Sequence, residues 1–349
     1  MKANICYIIF LLIAVSGYTQ QNRYKASSDK GMSAYLLVYF KDDTHSLYFA
    51  LSKDGYSFTD VNDGKPIIAG DTIAGQKGVR DPYIMRGHNG WFYMAMTDLH
   101  IYAKQKGYRT TEWERDDKAF GWGNNKNIVL MKSKDLIHWS HTLLRVDKAF
   151  PGWEKIGCAW APELIYDEVK GKMMIYFTMR FGNGLNQLYY AYLNKEFTTL
   201  ETEPKRLFQY PKYDKNYIDG DITKVGSKYH LFYVAHDGTP GIKQAVSDSI
   251  NTGYVYDDKW YDPEPNACEA PNIWKRIGEN KWVLMYDIYG INPNNFGFSE
   301  TTDFIHFKDL GHFNEGVMKA TNFSSPKHGA VMQITAKEAK ALENYWKRK

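Results

Sequence analysis

Acidic residues recur along this chain at positions where they could act together as proton donors and acceptors. Four carboxylates and one histidine each stand at the start of a short apolar segment. They are Asp81, Glu163, Asp219, Glu269 and His328. If the chain brings these segments together, burial and like charge raise the pKa of some of the carboxyl groups. One can then stay protonated as an acid while another remains an ionised base, the pair that cleavage of a glycosidic bond requires.

The segments that carry these residues form a repeat. Strand openings occur at residues 80–85, 161–166, 219–223, 268–274 and 327–332. The four openings before the last each lead to a second strand rich in aromatic and branched residues. The five polar residues are separated by 82, 56, 50 and 59 positions, intervals typical of a β-propeller. In such a fold the first strand of each blade is innermost, and its polar start faces a shallow funnel.

The two ends of the chain supply the parts of one blade. The last opening, at His328, has no following strands, whereas residues 35–40 and 47–58 form two strands without an opening. We therefore predict an all-β fold, a five-bladed β-propeller whose ring is closed by N-terminal strands joining the C-terminal blade opening. Stacked sandwiches are the alternative, and the split blade argues against them. Thr335 and Glu338 have capping-box spacing, which predicts a short C-terminal helix.

The N-terminus resembles a secretory signal peptide, because Lys2 precedes an apolar run over residues 5–15 that is too short to span a bilayer. We predict a signal peptide over residues 1–19 and a single catalytic domain over residues 20–349. The protein is expected to be exported, to the periplasm or the medium, without a membrane anchor. A net charge of +4 at pH 7 does not indicate a nucleic acid partner.

Two cysteines remain outside the predicted signal peptide. Cys158 and Cys268 lie at the openings of the second and fourth repeats, counted from Asp81. Residues of nonadjacent blades are too far apart for disulfide geometry. We therefore expect two buried free thiols.

Taken in order, the openings resemble those of glycoside hydrolase family 43, five-bladed propellers that include α-L-arabinofuranosidases, β-xylosidases and arabinanases. The motifs are RDP at 80–82, WAPE at 160–163, ID at 218–219, EAP at 269–271 and HG at 328–329. No single motif is specific. All five occur in order, each opening a blade, and the resemblance covers essentially the whole mature chain.

This resemblance implies catalytic roles for three acids. Asp81 resembles the base that activates water, and Glu269 resembles the acid that protonates the leaving oxygen. Asp219 resembles the residue that tunes pKa values and orients the substrate. The chain departs from the family after Asp219, where Gly220 and a second acid, Asp221, follow. Alternate residues of a strand share a face, so the choice between Asp219 and Asp221 stays open.

The resemblance also implies residues that bind substrate or an ion. Glu163 resembles a cleft residue that hydrogen-bonds sugar hydroxyls, and Asp221 is a second candidate for such contacts. Trp160 is either a stacking platform for sugars or a core tryptophan. His328 resembles a histidine that reaches a bound ion, calcium or another, or the waters of that ion on the propeller axis, although a hydrogen-bonded core histidine is the alternative. No cofactor is required for the chemistry. Apolar neighbours are expected to keep the carboxyl group of Glu269 neutral.

The longest interruption of the repeat, residues 100–127, contains aromatic residues among many charges and glycines. Such a loop could rim the funnel and form a pocket. The leading hypothesis is an exported, inverting, exo-acting α-L-arabinofuranosidase on side chains of plant polysaccharides, with an oligosaccharide or polysaccharide as its partner. A β-xylosidase or a galactofuranosidase of the same fold is the next candidate. A non-catalytic carbohydrate-binding propeller and a protein-binding propeller are alternatives from other classes.

Overall fold

The computed structural model describes residues 30–108 and 115–348. The predicted signal peptide lies outside the described residues. The first strands are β1 (Met32–Phe40), β2 (Leu47–Ser52), β3 (Ser57–Asp60), β4 (Val79–Arg86), β5 (Phe92–Asp98), β6 (Asn127–Ser133), β7 (Trp139–Arg145), β8 (Ile156–Asp167), β9 (Lys172–Phe181), β10 (Gln187–Tyr192) and β11 (Lys205–Arg206). The remaining strands are β12 (Tyr217–Val225), β13 (Lys228–Ala235), β14 (Gly241–Ser247), β15 (Val255–Tyr256), β16 (Cys268–Lys275), β17 (Trp282–Ile288), β18 (Asn295–Thr301), β19 (Lys308–His312), β20 (Lys319–Ala320) and β21 (Lys327–Thr335). The helices are α1 (Gly70–Ile73), α2 (Asp117–Phe120) and α3 (Ala336–Trp346).

The strands form five sheets, antiparallel except for one pair in blade 5, which confirms the predicted five-bladed propeller. Blades 1 to 4 are each four consecutive strands, β4–β7, β8–β11, β12–β15 and β16–β19. Blade 5 has the order β20-β3-β2-β1-β21 and contains strands from both ends of the chain. There β1 pairs antiparallel with β21, for example Leu37 with Val331, and β20 pairs parallel with β3. We call β4, β8, β12, β16 and β21 the inner strands, since each contacts the inner strands of its neighbours.

Five apolar interfaces, one between each pair of neighbouring blades, make up the core. In blade 5, strand β1 contributes side chains to two of these interfaces. Leu36 of β1 packs in the cluster shared with blade 1, whereas the next residue, Leu37, packs in the cluster shared with blade 4. Because both faces of a blade are covered, its central strands are apolar in almost every position instead of alternating. Packing at these interfaces sets the positions of the blades around the axis. It therefore also sets where the inner strands begin.

Two local predictions are also confirmed. Helix α3 begins with a capping box in which Thr335 accepts from the backbone N–H of Glu338 and the Glu338 side chain bonds back to Thr335. Cys158 and Cys268 are buried free thiols, and burial raises the pKa of Cys158 to about 12. Within the described ranges, none of the helices has the length and apolar character needed to cross a membrane.

Candidate active site

The five inner strands share one irregularity at the place where the polar residues lie. Each contains a residue with positive φ followed by Pro or Gly, and its pairing with the second strand shifts there. These residues are Asp81 (φ 53°), Ala161 (φ 44°), Asp219 (φ 50°), Ala270 (φ 58°) and His328 (φ 25°). A bulge of this kind lets two successive side chains reach the same side of a strand, which regular alternation forbids. Each inner strand can therefore present two neighbouring residues to the axis.

A cavity of about 800 Å³ lies where the inner strands begin. Three of the five positive-φ residues line its wall, namely Asp81, Asp219 and His328. The residue just before each of the five positive-φ positions also lines the cavity. These residues are Arg80, Trp160, Ile218, Glu269 and Lys327. The three acids predicted to be catalytic thus come from three blades and line one cavity, and Trp160 and His328 line it with them.

The carboxylate of Asp81 is held between a hydroxyl group and an imidazole. Thr97 donates to its Oδ2 at 2.6 Å, and His328 Nδ1 lies 3.2 Å from its Oδ1. Burial favours the neutral acid, but the charge and hydrogen bond of His328, the charge of Arg80 and the hydrogen bond from Thr97 together outweigh it and hold the pKa of Asp81 well below the usual range. Asp81 is therefore ionised at neutral pH, the state that a general base requires.

Hydrogen bonds between blades hold three of the five positive-φ residues in place. In each case a side chain of a second strand accepts from the backbone N–H of the next blade. Thr97 accepts from Ala161 at 2.8 Å, and Thr178 accepts from Asp219 at 3.0 Å. The same contact recurs where Asp287 accepts from His328 at 3.2 Å. Unusual backbone conformations persist only where the surroundings determine them, and these bonds supply that constraint.

Asp219 lies near the same imidazole, with its Oδ2 4.0 Å from His328 Nδ1. Burial is the main cause that raises the pKa of Asp219 to about 7, His328 opposes the shift, and the charges of Glu269 and Asp81 add to it. The backbone N–H of Ala270 donates to this carboxyl group. Asp219 thus interacts electrostatically with both other acids of the cavity.

Glu269 does not have the apolar setting that the sequence suggested. Lys327 Nζ lies 3.4 Å from its Oε1, and the same ammonium group lies 3.6 Å from Asp287 and 3.7 Å from Asp42. Cys268 is buried in the apolar cluster between blades 3 and 4, because successive residues point to opposite sides there. The prediction that sequence neighbours isolate Glu269 is therefore wrong, since a buried lysine from blade 5 contacts it.

Glu163 and Asp221 do not line the cavity, so the prediction that they contact substrate there is wrong. Both are buried, with exposures of 4% and 3%. Each stands two residues after a positive-φ position, and a step of about 6.5 Å along the strand carries it one layer further from the entrance. Glu163 accepts from Tyr176 at 2.7 Å, and Asp221 accepts from Asn272 at 2.8 Å. The structure therefore brings Asp219 to the cavity wall and leaves Asp221 beneath it.

The buried Asp221 predicts a pH-dependent contribution to stability. Burial raises its pKa to about 7, from roughly 3.9 in an unfolded chain. The native state then binds the proton more tightly, so this group stabilises the fold at low pH, and the stabilisation is lost as pH rises from about 4 to 7. Asp221→Asn should flatten the dependence of the unfolding free energy on pH by up to about 1.4 kcal/mol per pH unit in this window.

Urea unfolding of the wild type and Asp221→Asn at pH 5, 6 and 7 measures this slope. Asparagine keeps an oxygen that can accept from Asn272 and from the backbone of Ile273. The control is Asp248→Asn, which alters an exposed aspartate paired with Lys228 and should leave the slope unchanged. Equal slopes in the wild type and Asp221→Asn would contradict a raised pKa at this position.

The surroundings of His328 do not fit a directly ligated cation. Burial opposes its protonation, but Asp81 and Asp219 raise the pKa of His328 to about 9, so the ring is charged at neutral pH. In residues 30–108 and 115–348, no group of three or more His, Cys, Asp and Glu side chains is arranged to hold a metal ion. His328 forms an ion pair with Asp81, and its contact with an ion or the waters of an ion stays a prediction.

Several residues of the cavity were not singled out from the sequence. They are Asp42, Arg80, Arg180, Asn186, Asn216, His236, Lys327 and Tyr289. Arg80 and Lys327 could have been found, because each occupies the same place before the Pro or Gly step as Glu269. Asp42 lies between β1 and β2 and bonds Arg80 at 2.8 Å. Its role depends on the closing blade, which no local motif reveals.

A propeller that gathers carboxylates from separate blades around one axial cavity defines a class of glycoside hydrolases. Residues 30–340 match the model of a family related to glycoside hydrolase family 43, described as "Probable glycosyl hydrolase domain". The chain belongs to this family, which confirms the resemblance seen in its motifs, and it is a glycoside hydrolase. A search of curated proteins finds no match.

Solved structures of glycoside hydrolases share the fold. A xylan β-1,4-xylosidase from Bacillus halodurans C-125 has a TM-score of 0.57 at 13% identity, with 83% of this chain and 54% of that chain covered. An endo-arabinase from Bacteroides thetaiotaomicron has 0.54 at 16%, covering 76% and 88%. An α-L-arabinanase from Cellvibrio cellulosa, complexed with arabinohexaose, has 0.52 at 13%, covering 79% and 91%. At these identities the likeness shows the fold alone.

Proposed function

We propose that the protein is an exported, exo-acting, inverting α-L-arabinofuranosidase that removes side-chain sugars from plant polysaccharides. The observation that carries the catalytic part is the convergence of Asp81, Asp219 and Glu269 on one cavity. A purely carbohydrate-binding propeller does not require three acids there, nor a carboxylate held ionised by a buried imidazole. The apolar and aromatic parts of the wall suit the faces of sugar rings.

The chemistry assigned to these residues is a single displacement. Ionised Asp81 accepts a proton from a water molecule as the water oxygen attacks the anomeric carbon. The bond between that carbon and the glycosidic oxygen breaks, and Glu269 donates a proton to the departing oxygen. Asp219 and His328 adjust the charge around the two reacting carboxyl groups. Attack from the face opposite the leaving group inverts the anomeric configuration.

A substrate panel tests the proposal and separates it from its nearest alternatives. The purified protein is assayed with nitrophenyl α-L-arabinofuranoside, β-D-xyloside and β-D-galactofuranoside, and the first released anomer is followed by NMR. The proposal expects the arabinofuranoside to be the best substrate, with inversion. Preference for either other glycoside would assign the alternative specificity, and retention would exclude the displacement described above. No hydrolysis of these or of arabinan and arabinoxylan oligosaccharides would overturn the catalytic proposal.

Export is supported by the N-terminal sequence, in which Lys2 precedes the apolar run over residues 5–15. We expect the mature protein to lack residues 1–19. Expression of the full chain in a bacterial host, followed by mass measurement of the protein from the periplasm and the medium, tests this. Recovery only in the cytoplasm with Lys2 retained would contradict it.

A further inference from the structure

Arg80 precedes the proposed base Asp81 and lines the catalytic cavity, although its side chain is only 12% exposed. Its Nη1 donates to Asp42 at 2.8 Å, and its guanidinium group lies over the ring of Phe40, 4.6 Å from the centroid. Within residues 30–108 and 115–348, its donors on Nε and Nη2 have no hydrogen-bond partner. Arg80 therefore has donors left for a ligand in the cavity.

His45 is a second hydrogen-bonding contact of this guanidinium group. Its Nε2 lies 3.4 Å from Arg80 Nη1 and accepts from the backbone N–H of Ile101 at 3.3 Å. Because both neighbours are donors, Nε2 is the unprotonated nitrogen, and the proton is assigned to Nδ1. Burial is the main cause that lowers the pKa of His45 to about 2, and the charge of Arg80 adds to it. The imidazole is therefore a neutral acceptor at neutral pH.

The position of His45 is fixed by its backbone and by a second histidine. Its φ is 48°, its backbone N–H donates to the carbonyl of Lys41 at 2.8 Å, and its carbonyl accepts from Val79 at 2.8 Å. Its ring stacks on that of His100, with centroids 4.0 Å apart and planes at 9°. At Gly78 a Cβ atom would lie 2.6 Å from the Cβ of His100 and 2.8 Å from that of His45. A larger residue there would therefore displace the stacked pair.

These contacts join the long insertion between β5 and β6 to the catalytic cavity. His100 and Ile101 belong to the insertion, His45 to the connection between β1 and β2, and Arg80 to the inner strand of blade 1. A backbone with positive φ persists at a histidine only where its surroundings determine it. Packing alone does not require an imidazole here, since a phenyl ring could also stack on His100. The feature that only the imidazole supplies is the acceptor that faces Arg80.

We propose that His45 is a positioning residue, whose Nε2 holds the guanidinium group of Arg80 so that the donors on Nε and Nη2 face the sugar in the cavity. The planar set of donors on a guanidinium group can bond two oxygen atoms of one ligand, and its orientation decides which pair it reaches. The ligand class is a sugar with two neighbouring hydroxyl groups. The inference rests on the proposed glycosidase function and deepens it, because it assigns part of the specificity to a residue outside the cavity wall.

Two substitutions of His45 separate the acceptor from the packing. His45→Phe retains a ring that can stack on His100 and removes Nε2. His45→Gln removes the ring and retains an acceptor at the same number of bonds from the backbone. In an Asp81→Asn background, calorimetry measures the affinity for arabinotriose and for xylotriose. The sugar that binds better should bind about fivefold more weakly to His45→Phe, and within about twofold of the parent to His45→Gln. The opposite order, or no change in either variant, would overturn the inference.

A double-mutant cycle tests whether His45 acts through Arg80. Arg80→Lys keeps a positive charge beside Asp81 and loses the planar set of donors, so it should weaken binding about tenfold or more. Addition of His45→Phe to Arg80→Lys should then weaken binding by less than about twofold, since the contact between the two side chains is already lost. Effects that multiply would overturn the inference. Unchanged affinity in Arg80→Lys would do so too, and that result does not depend on the folding of His45→Phe.

The matched control is His230→Phe, which removes an imidazole that contacts Gln244 at 2.6 Å in blade 3 and does not line the cavity. It should leave the affinity unchanged even if its thermal midpoint falls as far as that of His45→Phe. A wild type that cleaves glycosides, with an affinity that does not depend on the acceptor at His45, would overturn the inference alone. An affinity that depends on this acceptor, in a protein that cleaves nothing, would overturn the function alone. If neither triose binds, the inference is overturned whatever the wild type cleaves.

Discussion

Asp81→Asn is expected to lower kcat by about 10³ to 10⁴, the largest effect of any single substitution in the cavity. Asparagine has nearly the same shape and can still accept from Thr97, but it cannot take a proton from water. The loss should appear with aryl glycosides and oligosaccharides alike, because attack by water is required whatever the leaving group. Steady-state kinetics with both kinds of substrate measure it.

The matched control for Asp81→Asn lies on the surface of blade 4. Asp303 forms a similar pair with His306 at 2.8 Å, in a turn where the aspartate is 44% exposed. Asp303→Asn should leave kcat unchanged, which shows that loss of an aspartate–histidine pair alone does not impair catalysis. The thermal midpoint of Asp81→Asn should fall by no more than about 5 °C. Full activity in a folded Asp81→Asn protein would remove Asp81 from the reaction.

The fold and the convergence of Asp81, Asp219 and Glu269 were predictable because the same motif recurs in every blade. Each repeat places a polar residue beside a Pro or Gly step, and the polar residues fall at intervals that suit blades. Asp81, Asp219 and Glu269 could therefore be assigned to one funnel without knowledge of their distances. The ring itself followed from the two incomplete ends of the chain, which supply complementary strands.

What failed was the assumption that two alternate residues at a strand opening reach the same cavity. The bulge after Asp219 separates it from Asp221, and the equivalent step separates Ala161 from Glu163. Neither acid reaches the cavity, because each lies two residues beyond a positive-φ position and about 6.5 Å further along its strand. A positive φ is hard to recognise from the sequence of these strands. Alanine occupies two of the five positive-φ positions, and the residue that follows is Pro in some blades and Gly in others. Backbone geometry of this kind comes from contacts between blades.

Contacts between distant parts of the chain also escaped prediction at Glu269. Its carboxyl group faces Lys327 from blade 5, and that lysine also faces Asp287 and Asp42. Burial is the main cause that raises the pKa of Asp287 to about 7, and Lys327 opposes the shift. The positive charge of Lys327 is therefore shared among the carboxyl groups of Glu269, Asp287 and Asp42.

Glu269→Ala is expected to lower kcat/KM strongly for substrates with poor leaving groups and only slightly for those with good ones. For oligosaccharides and alkyl glycosides, whose departing oxygen needs a proton, kcat/KM should fall by about 10² to 10⁴. For a dinitrophenyl glycoside, which leaves as a stabilised phenolate, the loss should be less than about tenfold. This pattern arises only if Glu269 supplies the proton, since loss of attack by water would affect both substrates. A series of aryl glycosides with graded leaving-group pKa values measures the dependence.

The control variant is Glu279→Ala, which removes an exposed glutamate paired with Lys281 in the turn between β16 and β17. It should leave all the rates unchanged. A Glu269→Ala protein that loses the same factor with every leaving group would show a different role. In that case the glutamate holds Lys327 and the shape of the cavity, and another group must protonate the departing oxygen. A steep dependence on leaving group in the variant, against a shallow one in the wild type, identifies Glu269 as the acid.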